Sequence, residues 1–211
     1  MPAMPRRLFL AALAALSLAA CAKGGGGVSG STADEMSLGD PKAKVSVIEY
    51  ASASCPHCAR FNNEVFPDFK KKYIDTGKIH YTYREFLTPP VEVAAAGFLL
   101  SRCVAHGDPQ KYFQVLDAIY RSQEEMFAGG DTTNVRPVLL RIAQSFGLNE
   151  DQFTKCITDD KSLQALNDRV QKFVDQDHIE ATPTFVINGK KVKEGEVSLA
   201  ELDADIQPLL K

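Results

Sequence analysis

No apolar run in this 211-residue chain is long enough to cross a bilayer comfortably, since the stretch from Leu8 to Ala20 falls short of the ~20 residues a spanning helix needs. A polytopic membrane protein is thereby excluded. An excess of positive charge is lacking too: 24 Lys and Arg against 27 Asp and Glu leave a formal charge of −3. The lysines are interspersed with acids, as in Lys70-Lys71-Lys72 between Asp68 and Asp75, which reads as a solvated helix face and leaves no footprint for a nucleic acid. Cysteines number five and histidines four, and beyond a single CxxC there is no second one and no close Cys/His pair, so a four-ligand zinc site cannot be assembled. No metal or cofactor is expected. Internal repeats are missing as well. The ordinary apolar fraction of 45% excludes a disordered polymer, and the length suits one well-buried domain, alone or with a smaller one inserted.

What is present begins with a leader. Arg6 and Arg7 precede the apolar run, which ends in Leu18-Ala19-Ala20-Cys21. This ending resembles a bacterial lipobox, in which Cys21 carries lipid and becomes the mature N-terminus. Ala20-Cys21-Ala22 also satisfies the small-x-small rule of ordinary signal peptidase, and Arg6-Arg7 resembles a twin-arginine signal. Residues 1–20 are read as a signal peptide and 21–39, with Gly24-Gly25-Gly26-Gly27 and several serines, as a flexible linker, the domain starting near Pro41.

A β-branched, alternating run over Lys44–Tyr50 predicts a strand that stops at the small residues Ala51–Ser54. Phe61, Val65, Phe69 and Tyr73 then recur every four residues as a helical stripe, which Pro67 should kink, and Ile79, Tyr81 and Tyr83 alternate as a second strand. Between Val91 and His178 only helical patterns occur. Strand character returns at Thr184–Ile187, turns at Asn188-Gly189 and resumes at Lys190–Val192, and Ser198-x-x-Glu201 opens a last helix with a capping box. The expected architecture is α/β with an all-helical insertion: 40–90 and 179–211 form one split domain, and 91–178 the insertion.

Cys55-Pro56-His57-Cys58 falls where the first strand runs into the first helix. Unpaired N–H groups and the helix dipole at that point favour an anion, so Cys55 should be an acidic thiol. Cys58, one turn further in, is the shielded resolving thiol. His57 can lend positive charge or a hydrogen bond to the sulfur. A stabilised thiolate makes the matching disulfide a stronger oxidant, so redox chemistry, with a lean toward donating disulfides, is favoured over zinc binding or an idle staple. Glu49 shares strand parity with Val45 and Val47, which turns a carboxylate toward apolar surroundings where it needs a partner. His80, His106 and His178 are isolated and read as structural or surface residues.

CPHC followed by Thr182-Pro183-Thr184-Phe185 and Asn188-Gly189 resembles the DsbA-like family of bacterial periplasmic disulfide oxidoreductases, over essentially all of Gly39–Leu210. The resemblance implies a thioredoxin fold with an inserted helical domain, Cys55 as the exposed nucleophile, and a cis peptide before Pro183, with Thr182 and Pro183 holding substrate beside it. It also implies a proton-transfer pair of Glu49 and Lys78. The absence of tryptophan rules out the Trp-Cys start of thioredoxin itself. Implied partners are reduced exported proteins and a membrane quinone-linked oxidase resembling DsbB, with a monomer in the periplasm held to the membrane through lipid on Cys21. An isomerase or reductase, and a lipid-anchored peptide-binding chaperone without redox turnover, are the competing readings. Cysteine arithmetic leaves Cys103 and Cys156, which in an oxidising compartment should form a second, structural disulfide.

Overall fold

A computed structural model describes residues 34–211. The signal peptide 1–20, the lipidation position Cys21 and the linker as far as residue 33 lie outside the described residues. Five strands, β1 (Met36–Gly39), β2 (Val45–Ala51), β3 (Ile79–Glu85), β4 (Thr184–Ile187) and β5 (Lys190–Glu194), form one sheet in the order β1-β3-β2-β4-β5. β2 and β3 are parallel and every other pair is antiparallel. The parallel pair needs a crossover connection, and the helical stretch from Pro56 to Ile74 supplies it. Six helices, from α3 (Val91–Ala105) through α4 (Pro109–Arg121), α5 (Gln123–Met126), α6 (Val135–Ser145) and α7 (Glu150–Ile157) to α8 (Asp160–Asp177), are inserted between β3 and β4. A final helix, α9 (Leu199–Ile206), opens with Ser198 and Glu201 in a reciprocal capping box.

β1 corrects the linker boundary at residue 39. Glu35 is buried, and Met36 and Leu38 point into the core while β1 pairs with β3. Two alternating apolar residues are too few to signal a strand; the neighbouring edge of β3 makes them one. The domain therefore begins before Pro41.

The crossover helix differs from the expected kink. It runs as α1 (Pro56–Arg60), a π-helical turn over Phe61–Val65, α2 (Phe66–Phe69) and a second π-helical turn over Lys70–Ile74. The Phe66 N–H donates to the Phe61 carbonyl, five residues back. Pro67 has no N–H for the carbonyl four residues before it, and the wider π turn accommodates this while keeping Phe61, Phe69 and Tyr73 in the core.

Both faces of β2 are covered. Val45, Val47 and Ala51 pack into the main core, whereas Ile48 and Tyr50 face a smaller cluster with Phe173, Ile179 and Val186 beneath α8. Arg84, fully buried, sits in that second layer above the Phe173 ring at 4.3 Å, paired with Glu35 and, at 2.8 Å, with Asp177. It ties β1 and α8 to the sheet; removing one member of such a group leaves a buried charge exposed to no solvent, at a cost of about 3–5 kcal/mol. The turn at Asn188 and Gly189 has φ of 47° and 78°, the left-handed pair that a two-residue hairpin requires. Lysines 190, 191 and 193 charge the outer strand β5 and discourage further strand pairing.

Candidate active site

The loop joining β2 to α1 is pinned before the cysteines are reached. The Cys55 N–H donates to the Ser52 carbonyl at 3.1 Å, Ser54 Oγ donates to the Thr88 carbonyl at 2.9 Å, and Tyr120 OH donates to the Ser52 carbonyl at 3.2 Å. Gln123 Nε2 donates to the carbonyls of Ala53 and Cys55, at 2.8 and 3.2 Å. Gly97 of α3 packs so closely that a Cβ there would stand 2.8 Å from that of Ala53. The helical insertion thus clamps the turn that presents Cys55.

Cys55 is the N-cap of α1, with extended backbone and Pro56 behind it, and its sulfur accepts from the Cys58 N–H at 3.4 Å. Hydrogen bonding by the Cys58 thiol, then by the Thr182 side chain beside it, and by the backbone N–H groups of Cys58 and His57, outweighs burial and lowers the Cys55 pKa to about 6. In its thiol form the sulfur donates to the Thr182 carbonyl at 3.4 Å. The Thr182–Pro183 peptide is cis. Cys58 has no exposed surface, and burial, together with its hydrogen bond to Cys55 and the nearby charges of Cys55 and Glu49, pushes its pKa well up. Adjacent sulfurs are driven in opposite directions. Cys55 itself keeps 5% exposure, which corrects the picture of an exposed nucleophile.

Beneath the cysteines, Glu49 is fully enclosed and accepts a hydrogen bond from Tyr81 OH. Burial raises its pKa to about 8 against the opposing pull of Tyr81, and the charge of Cys55 adds to the rise. A void of about 10 Å³ lies between Glu49, Asn62, Tyr81 and Tyr120.

A family model described as Thioredoxin matches residues 31–207. Alpha-DsbA1 of Wolbachia pipientis is 32% identical and superposes with a TM-score of 0.73, covering 84% of this chain and 91% of that one. The chain belongs to the DsbA-like branch of the thioredoxin family. A Rickettsia bellii protein, named provisionally as a protein-disulfide oxidoreductase, is 33% identical over 156 residues, 74% of this chain and 58% of that protein. The chain spans about three fifths of the length of the Rickettsia relatives it matches. BdbD of Bacillus subtilis, in its oxidised form, is 23% identical with a TM-score of 0.69, which speaks for the fold alone.

In this DsbA-like site two sequence expectations need correction. Lys78 is exposed just before β3, next to the Val45–Ile79 pair, whereas Glu49 pairs with Tyr83 at the other end of the strand; the group that meets Glu49 is Tyr81. The His57 side chain does not turn to the sulfur. Its Nδ1 lies 2.6 Å from Glu196 Oε1, and Arg60 donates to the same oxygen. What His57 gives Cys55 is its backbone N–H. Glu196, Gln123, Tyr120 and Tyr81 escaped the sequence reading, and only Tyr81, on the inward parity of its strand, carried a usable signal. Cys103 and Cys156 are disulfide-bonded, joining α3 to α7 with Cα atoms 5.7 Å apart. His106 and His178 close α3 and α8 in left-handed conformation, and among the described residues no cluster of His, Cys, Asp and Glu could hold a metal ion.

Proposed function

We propose that this chain is a thiol–disulfide oxidoreductase that donates the Cys55–Cys58 disulfide to reduced proteins. The observation that carries it is the placement of two sulfurs on one helical turn, Cys55 capping α1 with its sulfur on the Cys58 N–H and Cys58 fully enclosed, which brings the Cys55 pKa down to about 6 and pushes that of Cys58 well up. A substrate thiolate attacks Cys55 Sγ, forming a mixed disulfide and releasing Cys58 as a thiolate. Cys58 takes a proton, for which Glu49, protonated at pH 7 with a pKa of about 8, is the buried source. The substrate's second thiolate then attacks the sulfur bonded to Cys55, the substrate leaves as a disulfide, and Cys55 departs as a thiolate. Low acidity in Cys58 slows its return attack, and a low pKa makes Cys55 a good leaving group, so both favour release of oxidised substrate.

Thr182 and Pro183 would flank an extended substrate at the sulfur, with Thr182's backbone as the pairing edge. The reduced enzyme needs an oxidant, for which a membrane quinone-linked partner resembling DsbB is the reading, in the periplasm. Lipid on Cys21 would tether it there. Among the described residues no helix is long and apolar enough to cross a membrane. Two measurements test these readings: the oxidised protein should reactivate a reduced, unfolded substrate whose activity needs its disulfides, with stoichiometric appearance of Cys55 and Cys58 thiols. A protein that instead reduces or only reshuffles those disulfides would be a reductase or isomerase, and binding without thiol release would leave a chaperone. Mass spectrometry of the mature N-terminus distinguishes a lipidated Cys21 from a plain Lys23 terminus.

A further inference from the structure

Glu196 lies on the short loop between β5 and α9, and that loop is fixed on both sides of it. Gly195, with φ of 83°, turns the chain and donates its N–H to the Pro183 carbonyl at 2.8 Å. Val197 is buried, and Ser198 caps α9 in the box it shares with Glu201. A carboxylate is thereby presented to the first turns of α1 on a backbone pinned to the Pro183 loop, the core and a helix start.

There Glu196 Oε1 accepts from His57 Nδ1 at 2.6 Å and from Arg60 Nη1. Hydrogen bonding by His57, then the charges of Arg60 and His57, hold the Glu196 carboxyl below the usual carboxylate range. Glu201, the next carboxylate along, is engaged by Lys193 at 2.5 Å and by Ser198. Among the described residues Glu196 is the one hydrogen-bond partner of the His57 ring. With 52% of the His57 side chain open, packing does not set the ring's direction; Glu196 does. The His57 backbone N–H faces Cys55 Sγ, and two side-chain torsions separate that backbone from the ring, so a released imidazole is within reach of the sulfur. Held by Glu196, it lines instead a groove of about 310 Å³ together with Arg60 and Glu64. A ring N–H on Sγ would stabilise the thiolate, and with it the reduced protein.

We propose that Glu196 is a positioning residue of the redox site: by holding the His57 ring off Cys55 Sγ, it keeps the Cys55–Cys58 disulfide a milder oxidant than the same motif with a free histidine. This rests on Cys55 and Cys58 as the exchanging pair, and not on which way disulfides flow. The test is equilibrium with glutathione, in which two glutathione thiols reduce the Cys55–Cys58 disulfide and leave as glutathione disulfide. It is run at about 0.15 M salt, where exposed charges more than about 8 Å apart are screened, and the reduced fraction is read by mass spectrometry of the peptide carrying Cys55 and Cys58 after acid quench and alkylation. Glu196→Ala should move the equilibrium about fivefold toward the reduced protein, the worth of one hydrogen bond to the sulfur. Glu196→Gln, which keeps an oxygen for the ring N–H, should stay within about twofold of the parent. In a His57→Ala background Glu196→Ala should have no effect, since no ring is left to release. A parent that fails to oxidise a reduced protein would sink the donor reading and leave this comparison intact. An equilibrium unmoved or moved toward the oxidised protein in Glu196→Ala, a shift as large in Glu196→Gln, or one that persists in the His57→Ala background, where only Arg60 and the lost charge remain to act, would overturn the assignment of Glu196.

Discussion

Cys55 and Cys58 are three residues apart across the first turn of α1, whereas Cys103 and Cys156, 53 residues apart, join two helices of the insertion. The near pair sits where backbone N–H groups converge and where a buried acid, Glu49, lies below, so its two sulfurs differ in acidity. The far pair has no such surroundings: Cys103 is on the last turns of α3 and Cys156 on the last turn of α7, where carbonyls rather than N–H groups are unpaired. Thiolate stabilisation at a helix start makes a disulfide easy to hand on, while closure of a long loop makes one worth keeping. Identical chemistry is thus divided between work and support by position on a helix.

The most severe way to break that contrast is to remove one sulfur from each pair. Cys58→Ala should abolish turnover, because no Cys55–Cys58 disulfide can form; offered a protein that already carries a disulfide, the Cys55 thiolate should attack it, one substrate sulfur leaving as a thiolate, and hold the other as a mixed disulfide visible by non-reducing mass spectrometry, with no Cys58 to release it. Cys103→Ala/Cys156→Ala should retain turnover. Its loss should appear in urea unfolding instead, as about 4 kcal/mol for a loop of this length in the chain-entropy account. A double variant as inactive as Cys58→Ala would erase the distinction.

Local features of this division were readable from the chain. Cys55 as an N-cap follows from a strand ending at Ala51 and Pro56 opening a helix, all within a few residues. The hairpin at Asn188-Gly189 and the Ser198–Glu201 box are equally local. Contacts set by topology were not readable. Glu196 meets His57 across 139 positions and Gln123 reaches Ala53 across 70, and neither spacing has any helical or strand period. The error at Lys78 has the same origin: which residue of β3 faces Glu49 depends on register, and the parallel pairing of Glu49 with Tyr83 sets Lys78 at the far end. Strand β1 went unseen because its partner, β3, is forty residues away in sequence.

Glu49 sharpens the comparison at a smaller scale, through pH. Its folded pKa of about 8 lies above the ordinary 4.5, so its contribution to stability is fully present below about 4.5 and is lost progressively as pH rises through about 8. The oxidised protein, in which neither active-site thiol titrates, should therefore weaken toward alkaline pH. Glu49→Gln should flatten that slope and exceed the parent at pH 9 by an amount on the order of 3 kcal/mol. Tyr81→Phe should shift the decline to higher pH, since Tyr81 stabilises the charged carboxylate, while Lys78→Gln should leave the profile in place. Urea midpoints across pH 4–9 provide the check, and a profile that follows Lys78 rather than Tyr81 would restore the original pairing.

The finest test concerns how Cys55 is held, and it separates the helix start from the Thr182 loop beside it. Iodoacetamide alkylation of the reduced protein should give a midpoint near the folded value of about 6 at Cys55 and no comparable reaction at the enclosed Cys58. Thr182→Val keeps the shape of the residue and removes only the hydroxyl facing the sulfur. One such hydrogen bond is worth about 1 kcal/mol, so the midpoint should rise by less than about one pH unit. Because this pKa is depressed, stability of the reduced form relative to the oxidised one is fully present above the ordinary thiol value and falls away as pH drops through about 6; in Thr182→Val that loss should be complete at higher pH. The Cys58 N–H and the start of α1 remain in the variant, so most of the depression should survive. A midpoint restored to the ordinary thiol range would mean that the loop, not the helix, makes Cys55 reactive, and the contrast with Cys103–Cys156 would then rest on Thr182 alone.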